Sequence, residues 1–368
     1  MFKTIKSKII LSGIIAVLIP VIIILSLVNR EKANISKTVV SEASKQLKEH
    51  MQSVAMDANS LCHSQQELLE KVMQSNMNVL SEHIKANGGF SLSTEAVEWN
   101  AVNQLNLKET KIGIPKMNFG KGWLDQGGAG AWLSPNYDKA VPTPVVDAVT
   151  GLVGGTCTIF QKMNDAGDMI RVATNVINKE GKRAIGTYIP AADDSGTKNQ
   201  IIETVRSGKI YTGRAFVVDA WYVASYAPIN DDTGKLIGMS YVGVKQESVE
   251  SLRKAIMDIK IGETGYVFVL GGSGSHMGHY IISYKGASDG KNIYEVKDTN
   301  GREVIKEMIE LSKKANGKPI LYEYPWQNTG EKEPRLKMAS VVYFEKWDWV
   351  IGASAYLDEF TRTTNIIN

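Results

Sequence analysis

Polar and apolar positions alternate in three different ways along this chain. Residues 9–28 are apolar apart from Ser12, Gly13, Pro20 and Ser26, a run long enough for one helix to cross a bilayer. Lys3, Lys6 and Lys8 precede it, and Arg30, Lys32 and Lys37 follow, so the charge bias is weak. The short tail at 1–8 favours a cytoplasmic N-terminus, with the remainder exported to the periplasm or the outside. The length of the run, and the lack of an A-x-A site after it, predict an uncleaved anchor at 9–29 rather than a cleaved signal peptide. Residues 31–86 hold neither Gly nor Pro. Val40, Leu47, Val54, Leu61 and Leu68 recur every seven positions, and Met51, Ala58 and Val72 fall four positions after members of that series. The pattern predicts a long amphipathic helix at 30–86 with an incomplete heptad seam, about 80 Å long. Such a stalk either pairs with a second copy of itself, as expected here, or packs within the monomer. Asn87-Gly88-Gly89 ends it, as glycine at a helix C-terminus does.

The third pattern is short β-rich runs closed by turn residues. Strands are expected at 156–160, in GDMIRVATNV and KRAIGTYIPA, in YTGRAFVVDAWYVASYAPI and in GKLIGMSYVGVK, with a helix at 199–207 between them. After a helix at 246–258 the outline repeats. Strands are expected at 266–270, 280–284, 320–325, 336–344 and 349–356, with a helix at 302–314. Both sheets end on Ile-Gly-x-Ser, at Ile237 and Ile351, a short match that points weakly to a duplicated module. Residues 90–155, with Trp99, Trp123 and Trp132 scattered among glycines, read as loops and short helices capping the first sheet. The fold class is therefore α+β. Two mostly antiparallel modules with flanking helices, at 87–247 and 248–360, follow the long N-terminal helix, and a tail occupies 361–368.

Composition narrows the function. The chain has 368 residues, 43% hydrophobic and 22% charged, with a net charge of +3. It is long enough for about two folded domains beyond the anchor. The charge is too near neutral to imply nucleic acid, and no basic run or zinc-finger spacing adds to that case. Two cysteines, Cys62 and Cys157, allow one disulfide, which in an exported domain would clip the stalk to the first sheet. The nucleophile elbow, the phosphate loop of nucleotide hydrolases and the HExxH zinc motif are all missing, so neither an enzyme nor a cofactor is expected. GGSGSHMGH, with His276 and His279, reads as a hairpin connection because no helix start follows it to build a phosphate cradle.

Arginine, hydroxyl and amide side chains on short strands suit a small carboxylate. Strand alternation puts Met169, Arg171, Ala173 and Asn175 on one side, and Tyr222, Ala224 and Tyr226 on one side. Arg171, Asn175, Arg214, Tyr222 and Tyr226 are the first candidates, with Thr174 and Tyr211 behind them. The bland alternative makes the tyrosines core and Arg171 an edge charge. In the second module Tyr322, Tyr324 and Trp326 share one strand face. Arg335 and Lys337 share a face of the next strand, and His279 and Tyr280 stand nearby. Trp326 reads more readily as core, since tryptophan mostly serves packing.

With both sheets in view, TCTIFQKMND, GDMIRVATNV, KRAIGTYIPA, YTGRAFVVDAWYVASYAPI, GETGYVFVL and FEKWDWVIGASAYLDEF resemble the sensor region of bacterial methyl-accepting chemotaxis proteins, and within it the Cache 3/Cache 2 fusion domain. The likeness runs over about residues 47–360. It implies two PAS-like modules in tandem, the first membrane-distal and the second membrane-proximal. It also implies binding of small metabolites, often carboxylates, without catalysis, for chemotaxis and signalling across the inner membrane. The aromatic and cationic residues of the second module look like the pockets of the Cache 2 family. Such receptors continue through a second membrane helix into a cytoplasmic signalling region. No second apolar span occurs here, so the chain reads as the sensor half of a longer protein or as a solitary anchored module. An input domain for a histidine kinase or a cyclic-dinucleotide enzyme is the rival, and a ligand-free stalk is a second rival.

Overall fold

The computed structural model describes residues 5–121, 129–246, 250–327 and 332–360, without the side chains of 5–12, 14–17, 36 and 40. Trp123 and the tail at 361–368 lie outside the described residues. Helix α1 (Ile5–Ala86) is continuous and ends at Gly88 and Gly89, whose φ of +94° and +77° only glycine adopts without strain. Its buried apolar positions are Leu47, Met51, Val54, Ala55, Ala58, Cys62, Leu69, Met73, Met77 and Leu80, so Leu47 and Val54 of the expected seam are buried. These follow the 3.6-residue period of a straight helix. A strict seven-residue series drifts off that line, so Leu61 and Leu68 of the expected seam are exposed at 41% and 55%. Val40 of that seam lies outside the described side chains. Among the described residues no helix is long and apolar enough to cross a membrane. The expected span at 9–29 falls partly on undescribed side chains, and from Leu18 to Val28 the large apolar side chains stand about half exposed.

The chain divides into two compact units, one of residues 61–253 and one of residues 1–60 with 254–368. The first carries a nine-stranded sheet in the order β3-β2-β1-β6-β5-β4-β9-β8-β7. Its strands are β1 (Phe90–Asn103), β2 (Glu109–Lys121), β3 (Ala129–Trp132), β4 (Thr156–Lys162), β5 (Met169–Thr174), β6 (Thr187–Ile189), β7 (Tyr211–Val217), β8 (Ala220–Asn230) and β9 (Leu236–Lys245). Helices α2 (Val146–Val153) and α3 (Gln200–Arg206) complete it. Asn199 starts α3 by accepting from the Ile201 and Ile202 amides at 3.0 and 3.4 Å. Every pairing is antiparallel except that of β1 with β6.

Residues 90–121 overturn the expectation of loops and short helices, since they form the long hairpin β1–β2. No apolar alternation announced it, because much of the hairpin is exposed and carries charge. Lys116 meets Glu95 at 2.6 Å and Lys111 meets Glu98 at 3.3 Å across the two strands. Such cross-strand pairs dress its exposed positions, while Trp99, Ala101, Ile114 and Met117 are buried.

The second unit carries the order β10-β11-β15-β14-β13, with β12 paired to β11. Its strands are β10 (Lys260–Ile261), β11 (Gly265–Gly271), β12 (Tyr280–Ile282), β13 (Ile320–Trp326), β14 (Arg335–Phe344) and β15 (Trp349–Tyr356). Helix α4 (Glu250–Met257) precedes β10, and α5 (Val304–Lys314) precedes β13. The antiparallel pairing of β11 with β12 makes the glycine- and histidine-rich segment between them a hairpin connection.

The two sheets share a plan. In each, a helix (α3 or α5) leads to a hairpin (β7–β8 or β13–β14), and the last strand returns to pair with the strand that opened the core (β9 with β4, β15 with β11). The Ile-Gly-x-Ser segments occupy these two central strands. A Cβ on Gly238 would lie 2.1 Å from the Phe160 carbonyl oxygen of the neighbouring strand. Gly238→Ala is expected to cost about 1–3 kcal/mol through that backbone clash, read as a lower urea midpoint with an unchanged m-value.

Candidate functional site

In the 61–253 unit the side chains around Arg171 form a buried, mostly aromatic core. A β-bulge in the β4–β5 ladder decides which residues join it. Thr158 faces Thr174 and Ile159 faces Ala173, but Phe160 faces Arg171, so Val172 is the extra residue. Arg171 therefore shares its face with Met169 and Thr174, while Ala173 turns to the other side, unlike the simple alternation expected. On that face lie Phe160, Tyr222, Tyr226 and Tyr241, with Ile202 and Val205 of α3 packed against them.

Arg171 is 1% exposed. Its guanidinium stands 4.8 Å from the Phe160 ring centroid and donates to the Thr187 hydroxyl, while its Nε and the Tyr226 hydroxyl find no hydrogen-bond partner among the described residues. Burial pulls the Arg171 pKa down to about 10, with only neighbouring tyrosines opposing the shift. Burial likewise raises Tyr226 and Tyr241, and raises Tyr222 with help from Asp219.

The structure does not gather the other first-module candidates there. Arg214 pairs with Val223 in the β7–β8 ladder, one residue out of step with Tyr222, and so points to the opposite face. It stacks 3.7 Å above Trp221 and donates from Nε to Gln246 at 3.0 Å. Asn175 accepts from the Cys157 amide at 2.8 Å and donates to the Gly155 carbonyl at 3.2 Å, a backbone-pinning role. The Thr174 hydroxyl bonds Thr158 at 2.6 Å and accepts from the Val176 amide. Tyr211 donates to the Arg214 carbonyl at 2.8 Å and sets its ring 6.1 Å from Tyr226. Cys62 and Cys157 are both free and buried, so the disulfide that the two cysteines allow is not formed. Each packs as a small apolar side chain, and burial pushes the Cys62 thiol up to about 12.

The second unit holds an open cavity of about 530 Å³, within the range that takes small organic ligands. Tyr266 of β11, Tyr280 of β12, Tyr284 and Trp326 of β13 supply aromatic walls. Ser288, Lys291, Lys297, Asp298 and Thr299 supply polar ones. The β13–β14 register sets Trp326 opposite Arg335 and Tyr324 opposite Lys337, so these four candidates share one face. Tyr324 touches Trp326 edge-on at 5.8 Å and is itself in the core. Lys337 is 1% exposed, with its ammonium 4.1 Å from the centroid of Tyr266 in the cavity wall. Arg335 grips Asp358, at 2.6 and 3.1 Å. His279 meets His276 edge-on at 6.0 Å, with its Nδ1 buried and unpartnered among the described residues, and the cavity wall takes its neighbour Tyr280 instead. Tyr322 joins Arg302, just before α5, and Glu307 of α5, and burial, followed by the Glu307 carboxylate, pushes its hydroxyl up to about 12.

Sequence reasoning missed Tyr266 and the whole polar wall. One signal for the wall exists. The connection from β12 to α5 exceeds the ~12–15 residues usual for an unstructured loop in a compact domain, and long loops are where binding residues concentrate.

Comparison with known proteins agrees with this architecture. The profile of the Cache 3/Cache 2 fusion domain matches residues 36–368. The sensor histidine kinase MctS of Rhizobium johnstonii is 28% identical over 179 residues, 48% of this chain and 35% of that protein. The methyl-accepting chemotaxis protein McpP of Pseudomonas putida is 30% identical over 71 residues, 19% of this chain and 13% of that protein. The chain thus spans well under half the length of these curated relatives. A solved Cache chemosensory domain described for carboxylic acid recognition is 25% identical, covering 29% of this chain and 69% of that one, with a TM-score of 0.26. With the profile match extending over nearly all of the sequence, the chain belongs to the Cache 3/Cache 2 fusion domain family.

Proposed function

We propose that this chain is the extracytoplasmic sensing part of a signalling receptor, and that it reads a small organic anion, a carboxylate foremost, in the cavity of its second unit. The carrying observation is the 530 Å³ cavity walled by three tyrosines and Trp326, with Lys291 and Lys297 on its polar side. Aromatic faces hold an apolar body while cations orient an anionic end, and neither requires a metal or a catalytic group. Membrane anchoring near residues 9–29 and pairing of two copies along α1 belong to the same reading. The half-exposed apolar side chains between Leu18 and Val28, and exposed Leu61, Leu68 and Val72, support them. Output through either a chemotaxis signalling region or a histidine kinase fits the two relatives equally.

A second reading puts an anion beside Arg171 in the 61–253 unit. Its support is the buried guanidinium with an unpartnered Nε next to the unpartnered Tyr226 hydroxyl, since a buried charge ordinarily has a counter-charge.

A thermal-shift panel of mono- and dicarboxylates and α-amino acids, run on the full chain, tests the sensing claim. At least one compound is expected to raise the melting temperature in a concentration-dependent way. A flat response across the panel would favour the structural-stalk alternative.

A further inference from the structure

We propose that Arg335 couples the cavity wall to residues 357–360, acting as a clasp that docks or releases that helical turn according to the state of Trp326. The proposal rests on the reading of the cavity as a binding site and adds how its occupancy leaves the module.

Trp326 forms part of the cavity wall and is the ladder partner of Arg335. The Tyr356 hydroxyl donates to the Trp326 carbonyl at 3.4 Å, and the Arg335 guanidinium lies 3.9 Å above the Tyr356 ring. The same guanidinium reaches forward to the turn that follows β15. It donates to Asp358 at 2.6 and 3.1 Å and to Glu359 at 3.5 Å. The Glu359 side chain is 2% exposed. Its carboxylate accepts from the Glu263 and Thr264 amides at 3.0 and 3.1 Å and from the Thr264 hydroxyl. It thus fastens 357–360 to the β10–β11 connection. Gly262, at φ +60°, lies under the Phe360 ring, where a Cβ would come within 2.7 Å.

One side chain therefore touches both ends. Arg335 is held by main-chain pairing to the wall residue and by charge to the turn. The turn is docked by charge-assisted hydrogen bonds and one ring contact, which can be made or lost as a set. A ligand that packs better against one position of Trp326 biases that choice, as coupling between sites requires.

Hydrogen exchange of the full chain in detergent tests the clasp with no ligand added, so its outcome is independent of the ligand panel. Glu359→Gln is expected to speed exchange of the amides at 261–265 about tenfold or more, through loss of charge-assisted acceptors. Trp326→Ala and the milder Trp326→Phe are expected to speed it at least about threefold. Amides at 349–352, between β11 and β14, are expected to keep their wild-type rates and so report an intact sheet. In an Arg335→Met background the added effect of either Trp326 variant is expected to vanish, because the connecting residue is gone. Unchanged exchange at 261–265 in both Trp326 variants, or full additivity with Arg335→Met, would overturn the proposal.

Discussion

Arg183→Ala is expected to destabilise the 61–253 unit by about 3–5 kcal/mol, the usual cost of removing one partner of a buried ion pair. The Arg183 side chain is 3% exposed and binds the Asp147 carboxylate at 2.9 and 3.2 Å. It also donates to the carbonyls of Asp138, Val141 and Thr174 at 3.1, 3.1 and 2.8 Å. The alanine variant removes one donor from each of those carbonyls, although Asp138 keeps the Val141 amide and Val141 keeps the Asn136 side chain, and it leaves Asp147 without its counter-charge. Asp147 keeps 30% exposure, so water recovers part of the loss and the lower end of the range applies. A shift of the first unfolding transition in a urea titration reads the effect. A loss below about 1 kcal/mol would mean that the loop before α2 gains little from this staple.

Arg171→Met is expected to act in the opposite direction. Arg171 is as buried as Arg183 but has no carboxylate partner among the described residues. Its ring neighbours and one hydroxyl replace only part of its lost hydration. Removing such a charge in favour of an apolar side chain of similar length is neutral or stabilising, by about 1–4 kcal/mol in the best-studied exchanges. The variant should therefore melt at or above the wild-type temperature in anion-free buffer. A marked drop would show that Arg171 is already satisfied, for instance by internal water, and would weaken the second reading of the site.

These two arginines show how far the sequence could be read. Arg171 stood out because it interrupts an apolar strand. Arg183 did not, because its partners come from residues 138–147, a stretch with no periodic pattern. Arg214 resembled Arg171 in sequence but lies on the other face. The register of β7 against β8 decides that, and no local pattern encodes it. The bulge at Val172 likewise moved Ala173 off the face it was assigned. Strands with a core face, such as β8, β11 and β15, were legible from their apolar runs, and α3 from Asn199. The β1–β2 hairpin was not, since its buried residues, Trp99, Ala101, Ile114 and Met117, stand among exposed and charged positions that break up any sustained alternation. The aromatic face of β13 and the cations of β14 were legible by alternation. The cavity they border was not, because its polar wall comes from the loop after β12.

The central claim is that the second unit's cavity is the sensing site. Calorimetric titration of the most stabilising compound from the panel into wild type, Trp326→Ala and Arg171→Met tests it most directly. The account predicts affinity at least about tenfold weaker for Trp326→Ala, the scale of a lost aromatic contact in a pocket, and unchanged affinity for Arg171→Met. Wild-type affinity in Trp326→Ala together with lost binding in Arg171→Met would contradict it and place the sensor beside Arg171.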